Sequence, residues 1–208
     1  MKNNELDKSL VEVRKAYRIL FDYQTRILDL VKYIGQKTQF SYSGGYSKFS
    51  NSGPNNGRGS LDLWAWDWLN FYFYEFNFGS LDIKNDNYTF SIFHLADDGF
   101  YQKTKSSGKF IRTEVKEFLN EEESNSKLIF VLGKNTWDDN WGHNWNSLEF
   151  TLNESDVKKD VEKGSSILFK SYNINEFDCE ENVFKILLDF KIFCAKNEMH
   201  FDIIQKII

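Results

Sequence analysis

Apolar residues crowd most densely between Leu61 and Gly79, LDLWAWDWLNFYFYEFNFG. Alternation from Asn70 places Tyr72, Tyr74, Phe76 and Phe78 on one side and Phe71, Phe73, Glu75 and Asn77 on the other. Both sides are largely apolar, as in a strand covered on both faces of its sheet, and the aromatic content favours strand over helix. Before it, Trp64, Trp66 and Trp68 share a face only in an extended chain, whereas Leu61, Trp64, Ala65 and Trp68 share one on a helical turn. The reading is a short turn or bend running into a central strand. Each buried aromatic ring removes about 150–250 Å² from water, so this segment is the expected anchor of the core.

A helical period governs the N-terminus. Leu10, Val13, Tyr17, Leu20, Gln24, Ile27, Val31 and Ile34 step alternately by three and four, the seam spacing of a coiled coil with one polar member. Ala16, Tyr23 and Leu30 widen the stripe. Ser9 with Glu12 forms a capping box and Gly35 stands at or near the end, which predicts a helix over 9–36. The plainest use of its apolar face is to cover a sheet. At ~1.5 Å per residue it is roughly 40 Å long, longer than a strand of ordinary length needs, and the excess makes the seam a candidate for pairing with a second copy.

Ser41 to Ser60 interrupts with Gly, Ser, Asn and Pro54, and is expected to be a flexible loop of the length that is often functional. Gly44-Gly45 and Gly57-Arg58-Gly59, with Lys48 and Arg58, make it an anion-binding or ligand-covering candidate, although the spacing fits neither the P-loop nor the dinucleotide fingerprint. Further on, Asn87–Leu95, Lys127–Leu132, Ser147–Leu152 and Ser166–Asn173 read as strands. Asp98-Gly99 offers turn chemistry for a hairpin into Phe100–Lys103. Phe110–Leu119 reads as a strand giving way to a short helix, and Asn153–Lys163 as a solvated charge run or short helix. Asp178 with Glu181 starts a C-terminal helix whose Val183–Cys194 segment is apolar nearly all round and so buried on most sides. Asn197 ends it, and Met199–Ile207 either returns as an edge strand, the favoured reading, or continues as helix.

These elements predict an α+β fold: a mostly antiparallel sheet of about five to seven strands, flanked by a long N-terminal helix and a buried C-terminal helix. The expected organisation is one domain over 1–208, with the helix in 1–37, the loop in 38–60, the sheet in 61–174 and the C-terminal helix and tail in 175–208.

Composition narrows the function classes. A chain of 208 residues, 41% hydrophobic and 27% charged, suits one globular domain. Net charge −5 argues against general nucleic-acid binding, which needs a basic field. No window approaches the ~20 apolar residues of a membrane span, and the N-terminus has no signal-peptide core. Cys179 and Cys194 would sit about four turns apart on one helix, too far to bridge; they read as reduced core thiols of a cytoplasmic protein. The Asn, Lys, Ile and Phe bias points to bacterial or phage origin.

Candidate chemistry is sparse. Trp137, Trp141 and Trp145 lie in a polar segment, TWDDNWGHNWNS. They either close one end of the core or meet Trp64, Trp66 and Trp68 in an aromatic cleft, with Asp138, Asp139 and His143 as polar contacts. Among possible acids and bases, Asp62 with Asp67, Glu75 and His94, a carboxylate against aromatic walls has a raised pKa. Glu75 is therefore the catalytic candidate, and its alternative is a buried carboxylate satisfied by Lys, Arg or backbone N–H groups. His94, His143 and His200 have no metal-ligand spacing, no serine sits in a nucleophile elbow, and no cofactor is expected. The leading expectation is a non-enzymatic binding protein that engages a partner protein through an aromatic surface, as an immunity or conflict-system component would. A nucleotide-type small-molecule sensor or enzyme and a homodimeric structural subunit are the competing readings. All require a surplus of rings that one monomer does not bury.

Overall fold

The computed structural model describes residues 2–50, 64–69, 71–108, 112–136 and 144–204. Its centre is a six-stranded antiparallel sheet in the order β1-β2-β3-β4-β6-β5. The strands are β1 (Gly44–Ser47), β2 (Phe73–Ile83), β3 (Asp86–Leu95), β4 (Lys127–Lys134), β5 (Ser155–Asp160) and β6 (Ser165–Asn173). The helices are α1 (Lys2–Lys37), α2 (Gly99–Ser107), α3 (Ser147–Leu152) and α4 (Glu180–Lys196), and short 3-10 turns include Ala65–Trp68. The class is α+β, with the long N-terminal and C-terminal helices that the pattern predicts.

Apolar alternation on both sides of the strands produces two cores. Phe76 and Phe78 of β2, Phe90 and Ile92 of β3, and Phe130 of β4 pack with Ile27, Val31 and Ile34 of α1 and Leu187 and Phe190 of α4. Phe73, Phe93, Ile129 and Phe169 point the other way, onto Phe49, Phe100, Tyr101, Trp145 and Phe150. Every large side chain in these lists is nearly inaccessible, so the hydrophobic effect holds α1 and α4 to one face and α2 and α3 to the other. β2 begins only at Phe73. Phe71 and Tyr72, still in the preceding turn, therefore take the faces opposite to those that strict alternation assigns, Phe71 on the α1 side and Tyr72 on the other.

Two local devices set the register. Lys84 and Asn85 both have positive φ, 53° and 76°, the two-residue type I′ geometry that joins twisted antiparallel strands. In β2 the register slips between Asn77 and Ser80. There the Asn77 side-chain oxygen accepts from the Gly79 N–H at 2.6 Å and from the Ser43 hydroxyl at 3.0 Å. Gly79 stands at φ 68°, a conformation that glycine adopts without strain.

Several expectations are corrected. The 38–60 loop contains β1, which hydrogen-bonds to β2 and makes Gly44–Ser47 part of the sheet. Asp98-Gly99 opens α2 instead of a hairpin. The buried Asp98 carboxylate pairs with Lys127 at 2.8 Å and accepts from the Asn125 N–H at 2.8 Å, tying this helix start to β4. Ser147–Leu152 is α3, capped by reciprocal bonds between Asn146 and Glu149. Inside the Asn153–Lys163 charge run lies β5, paired along β6. Of Phe110–Leu119, residues 112–113 turn and Val115–Glu117 form one 3-10 turn; no strand occurs there among the described residues. The tail makes one bridge, Ile203 to Thr38, instead of an edge strand up to residue 204. Helix α1 starts well before Ser9, whose hydroxyl donates to the Glu5 carbonyl within the helix at 3.0 Å. Gly35 lies inside the last turn, where a Cβ would come within 2.5 Å of the Phe78 ring. Cys179 is the exposed residue before α4, not a core thiol; Cys194 is buried, and both are free. Leu188 and Ile192 leave one side of α4 open to solvent.

Both outer strands are poor templates for a further strand. β1 has four residues, and β5 carries Lys158 and Lys159 between Asp156 and Asp160.

Candidate functional site

Helix α1 divides near its middle. Ile27, Val31 and Ile34 are sealed under the sheet, whereas residues 5–22 are exposed at every position. The stripe does not stop at this boundary: Leu6, Leu10, Val13, Tyr17 and Leu20 continue it into solvent. On the predicted seam, Ile27, Val31 and Ile34 are thereby corrected from interface to monomer core, and only Leu10, Val13, Tyr17 and Leu20 stand open, with Gln24 half-buried between.

Where the free half meets the body lies a cleft of about 530 Å³. Tyr17, Leu20, Phe21 and Gln24 form its helical wall; Trp66, Trp68 and Leu69 form the opposite wall, with Phe71 and Tyr72 at its base. The opposite wall is rigidly supported. The buried Asp67 carboxylate accepts from the Trp64 N–H at 3.0 Å, closing the 3-10 turn. Trp66 donates its indole N–H to the Arg112 carbonyl at 2.7 Å, lies parallel to Phe118, and meets the Phe49 ring edge-on. Trp66 is therefore an anchor, while Trp68 next to it leaves 62% of its surface in solvent. Trp64 is also exposed but does not line the cleft.

A buried polar contact underlies the junction. The Tyr23 hydroxyl lies 2.7 Å from His94 Nε2, and the imidazole is flanked by the Phe71 ring at 4.9 Å. Burial pushes the His94 pKa down to about 4, against a smaller upward pull from the Phe71 backbone, and burial pushes Tyr23 up to about 12. The ring is thus neutral near pH 7, and His94 serves to fix α1 to β3.

Among the described residues no charged side chain lines the cleft; the polar groups there are tyrosine hydroxyls, the Gln24 amide and the Trp68 indole N–H. Such a surface suits aliphatic or aromatic groups. A second cleft, of about 620 Å³, lies at the end of β4 and β6 and differs in kind. Its central charges satisfy one another: Asp189 meets Lys170 at 2.6 Å and accepts from the Tyr172 hydroxyl at 2.7 Å.

The remaining predicted residues are distributed elsewhere. Trp145 is core, 1% exposed, with its indole N–H donating to Asp156 at 2.6 Å and its ring edge-on to Phe169. It belongs to the core cluster against which Trp66 packs and does not line the cleft. Trp137, Asp138, Asp139, Trp141 and His143 lie outside the described residues, as do Arg58 and Asp62. Glu75, the catalytic candidate, and Lys48, the loop cation, meet each other at 2.5 Å, and the Ser91 hydroxyl donates to the second Glu75 oxygen at 2.9 Å. That is the satisfied buried carboxylate, and the pair stitches the end of β1 to β2 and β3. Among the described residues no group of three or more His, Cys, Asp or Glu is placed to hold a metal ion, and no helix is long and apolar enough to cross a membrane.

Sequence reasoning missed Phe21, Leu69, Phe71 and Tyr72 as cleft residues. Phe21 lies one position off the seam, and its meeting with Trp68 depends on contacts distant in sequence, so no local spacing announces it.

An antiparallel sheet clad on both faces, with the exposed half of an amphipathic helix running out from an aromatic cleft, defines the architecture as α+β. The chain belongs to the PM0109 family, whose model matches residues 3–199. It is similar to a curated relative from Pasteurella multocida (strain Pm70), "Uncharacterized protein PM0109", at 53% identity over 34 residues. That match covers 16% of this chain and 17% of the relative. No solved structure gives a significant match.

Proposed function

We propose that this chain is a non-enzymatic cytoplasmic binding protein that holds another polypeptide along the free half of α1 and in the aromatic cleft at its root, in the manner of an immunity or conflict-system component. One observation carries the reading: an apolar stripe leaves the core, passes a cleft lined by aromatic rings and continues exposed toward the N-terminus. A contiguous surface of this kind is costly in water and marks a place that something else covers. Exposed aromatic side chains beside a rigid wall are also the usual anchors of a protein interface. The lining found among the described residues, mostly rings and aliphatic groups, favours a polypeptide over a nucleotide.

The test uses the full chain as bait in its host, compared with a Phe21→Ser, Trp68→Ser double variant. Both residues are exposed, so the variant keeps its fold. A stoichiometric polypeptide held by the parent and lost at least tenfold in the variant supports the reading. Equal capture by both, or none by either, rejects it. Quenching of tryptophan fluorescence by nucleotides that disappears with Trp68 would transfer the cleft to the small-molecule reading.

A further inference from the structure

The occupant of this surface follows from the charges beside the stripe. We propose that it is a second copy of the same chain, whose helix lies antiparallel along the free half of α1 and places its first turns in the cleft. This rests on the docking reading above and names its partner.

The argument is one of register. In an antiparallel pair of identical helices, facing layers join a residue of one chain to a residue of the other whose numbers have a constant sum. Setting Leu10 against Val13 of the second copy brings Leu6 against its Tyr17, and the four layers use Leu6, Leu10, Val13 and Tyr17 of the exposed stripe. In that register the flanking positions pair at constant sums of their own, slightly below and slightly above that of the layers, and Asp7 faces Arg14 across one flank, twice by symmetry. Ser9 faces Ala16 across the other flank, where small side chains let the helices approach closely. Among the described residues no ion pair within the chain involves Asp7 or Arg14, although Lys15 close by is paired with Glu12 at 2.9 Å. The opposite charges therefore remain available for each other.

A parallel pair fits less well. It would set Arg14 beside Ser9, with no acid to meet it, and the seam from Ile27 onward is already taken by each chain's own sheet. The antiparallel arrangement instead sends each N-terminus toward the other body. Leu6, 62% exposed in the single chain, lands on Tyr17 at the rim of the cleft, and the turn before it runs toward Leu20 and Trp68. Each cleft is thus completed by the other copy.

Sedimentation of the full chain at micromolar concentration tests the proposal. The parent is expected to be a dimer. Arg14→Asp, which opposes two acids at each contact, and Asp7→Arg, which opposes two bases, should each weaken it at least tenfold. The double variant D7R/R14D restores the pair only if the two residues face each other. A monomeric parent, a dimer indifferent to the single changes, or a double variant no better than the singles would each overturn it. A monomeric parent that still captures a host polypeptide through Phe21 and Trp68 removes the second copy and leaves the docking reading standing. Loss of that capture as well removes both.

Discussion

Ile27, Val31 and Ile34 continue the spacing of Leu10, Val13 and Tyr17 without a break, yet the first three are almost wholly buried and the second three are 44%, 49% and 69% exposed. The two halves of α1 carry the same pattern and meet different surroundings. Periodicity specifies which side of a helix is apolar; what that side touches depends on how far the sheet extends beneath it. Tyr23 stands at the boundary, where its bond to His94 pins the helix, and residues 5–22 on its N-terminal side are exposed at every position.

The contrast is sharpened first by truncation of the buried half. Ile34→Ala opens space where the side chain is fully enclosed, and is expected to lower unfolding free energy by about 2–5 kcal/mol, read from urea denaturation. His94 at the boundary gives the next effect. Its folded pKa is depressed from 6.5 to about 4, so the folded state resists a proton that the unfolded chain accepts. Stability from this group is complete above about pH 6.5 and falls as pH drops toward 4, by at most about 3 kcal/mol. Denaturation midpoints across that range should decline, and His94→Phe should flatten the decline. Gly35→Ala drives a Cβ into the Phe78 ring and should cost about 1–3 kcal/mol. On the free half, Leu10→Ala should change the stability of the dissociated chain by less than about 0.5 kcal/mol. A loss near that of Ile34→Ala would erase the distinction between the two halves.

Elements whose pattern answers to one dominant cause were legible before the fold was known. α1, β3, β4, β6 and α4 each carry a long apolar period, and β2 carries rings on both faces. The errors fell where a short segment satisfies two patterns. Leu148, Phe150 and Leu152 alternate like a strand, but Asn146 and Glu149 cap each other and close a helix. Asp98-Gly99 has turn chemistry, but the buried pairing of Asp98 with Lys127 makes it the start of α2. β5 is charged because it is an outer strand, and so resembled solvated loop. Of the site, Trp66, Trp68, Tyr17 and Leu20 were singled out separately. Their convergence was hidden because the chain folds about 45 residues of sequence between the two walls. Glu75 and Lys48 were likewise noticed apart, because their pairing joins positions 27 residues distant in the chain.

The two margins of the sheet bear on how this molecule behaves when crowded. A newcomer strand would find only four residues to zip against at β1, and at β5 would have to pass the ammonium groups of Lys158 and Lys159. Short or lysine-bearing margins discourage ribbon growth and fibril seeding. A chain this rich in rings is thereby protected from open-ended stacking by the two strands that contribute least to its interior.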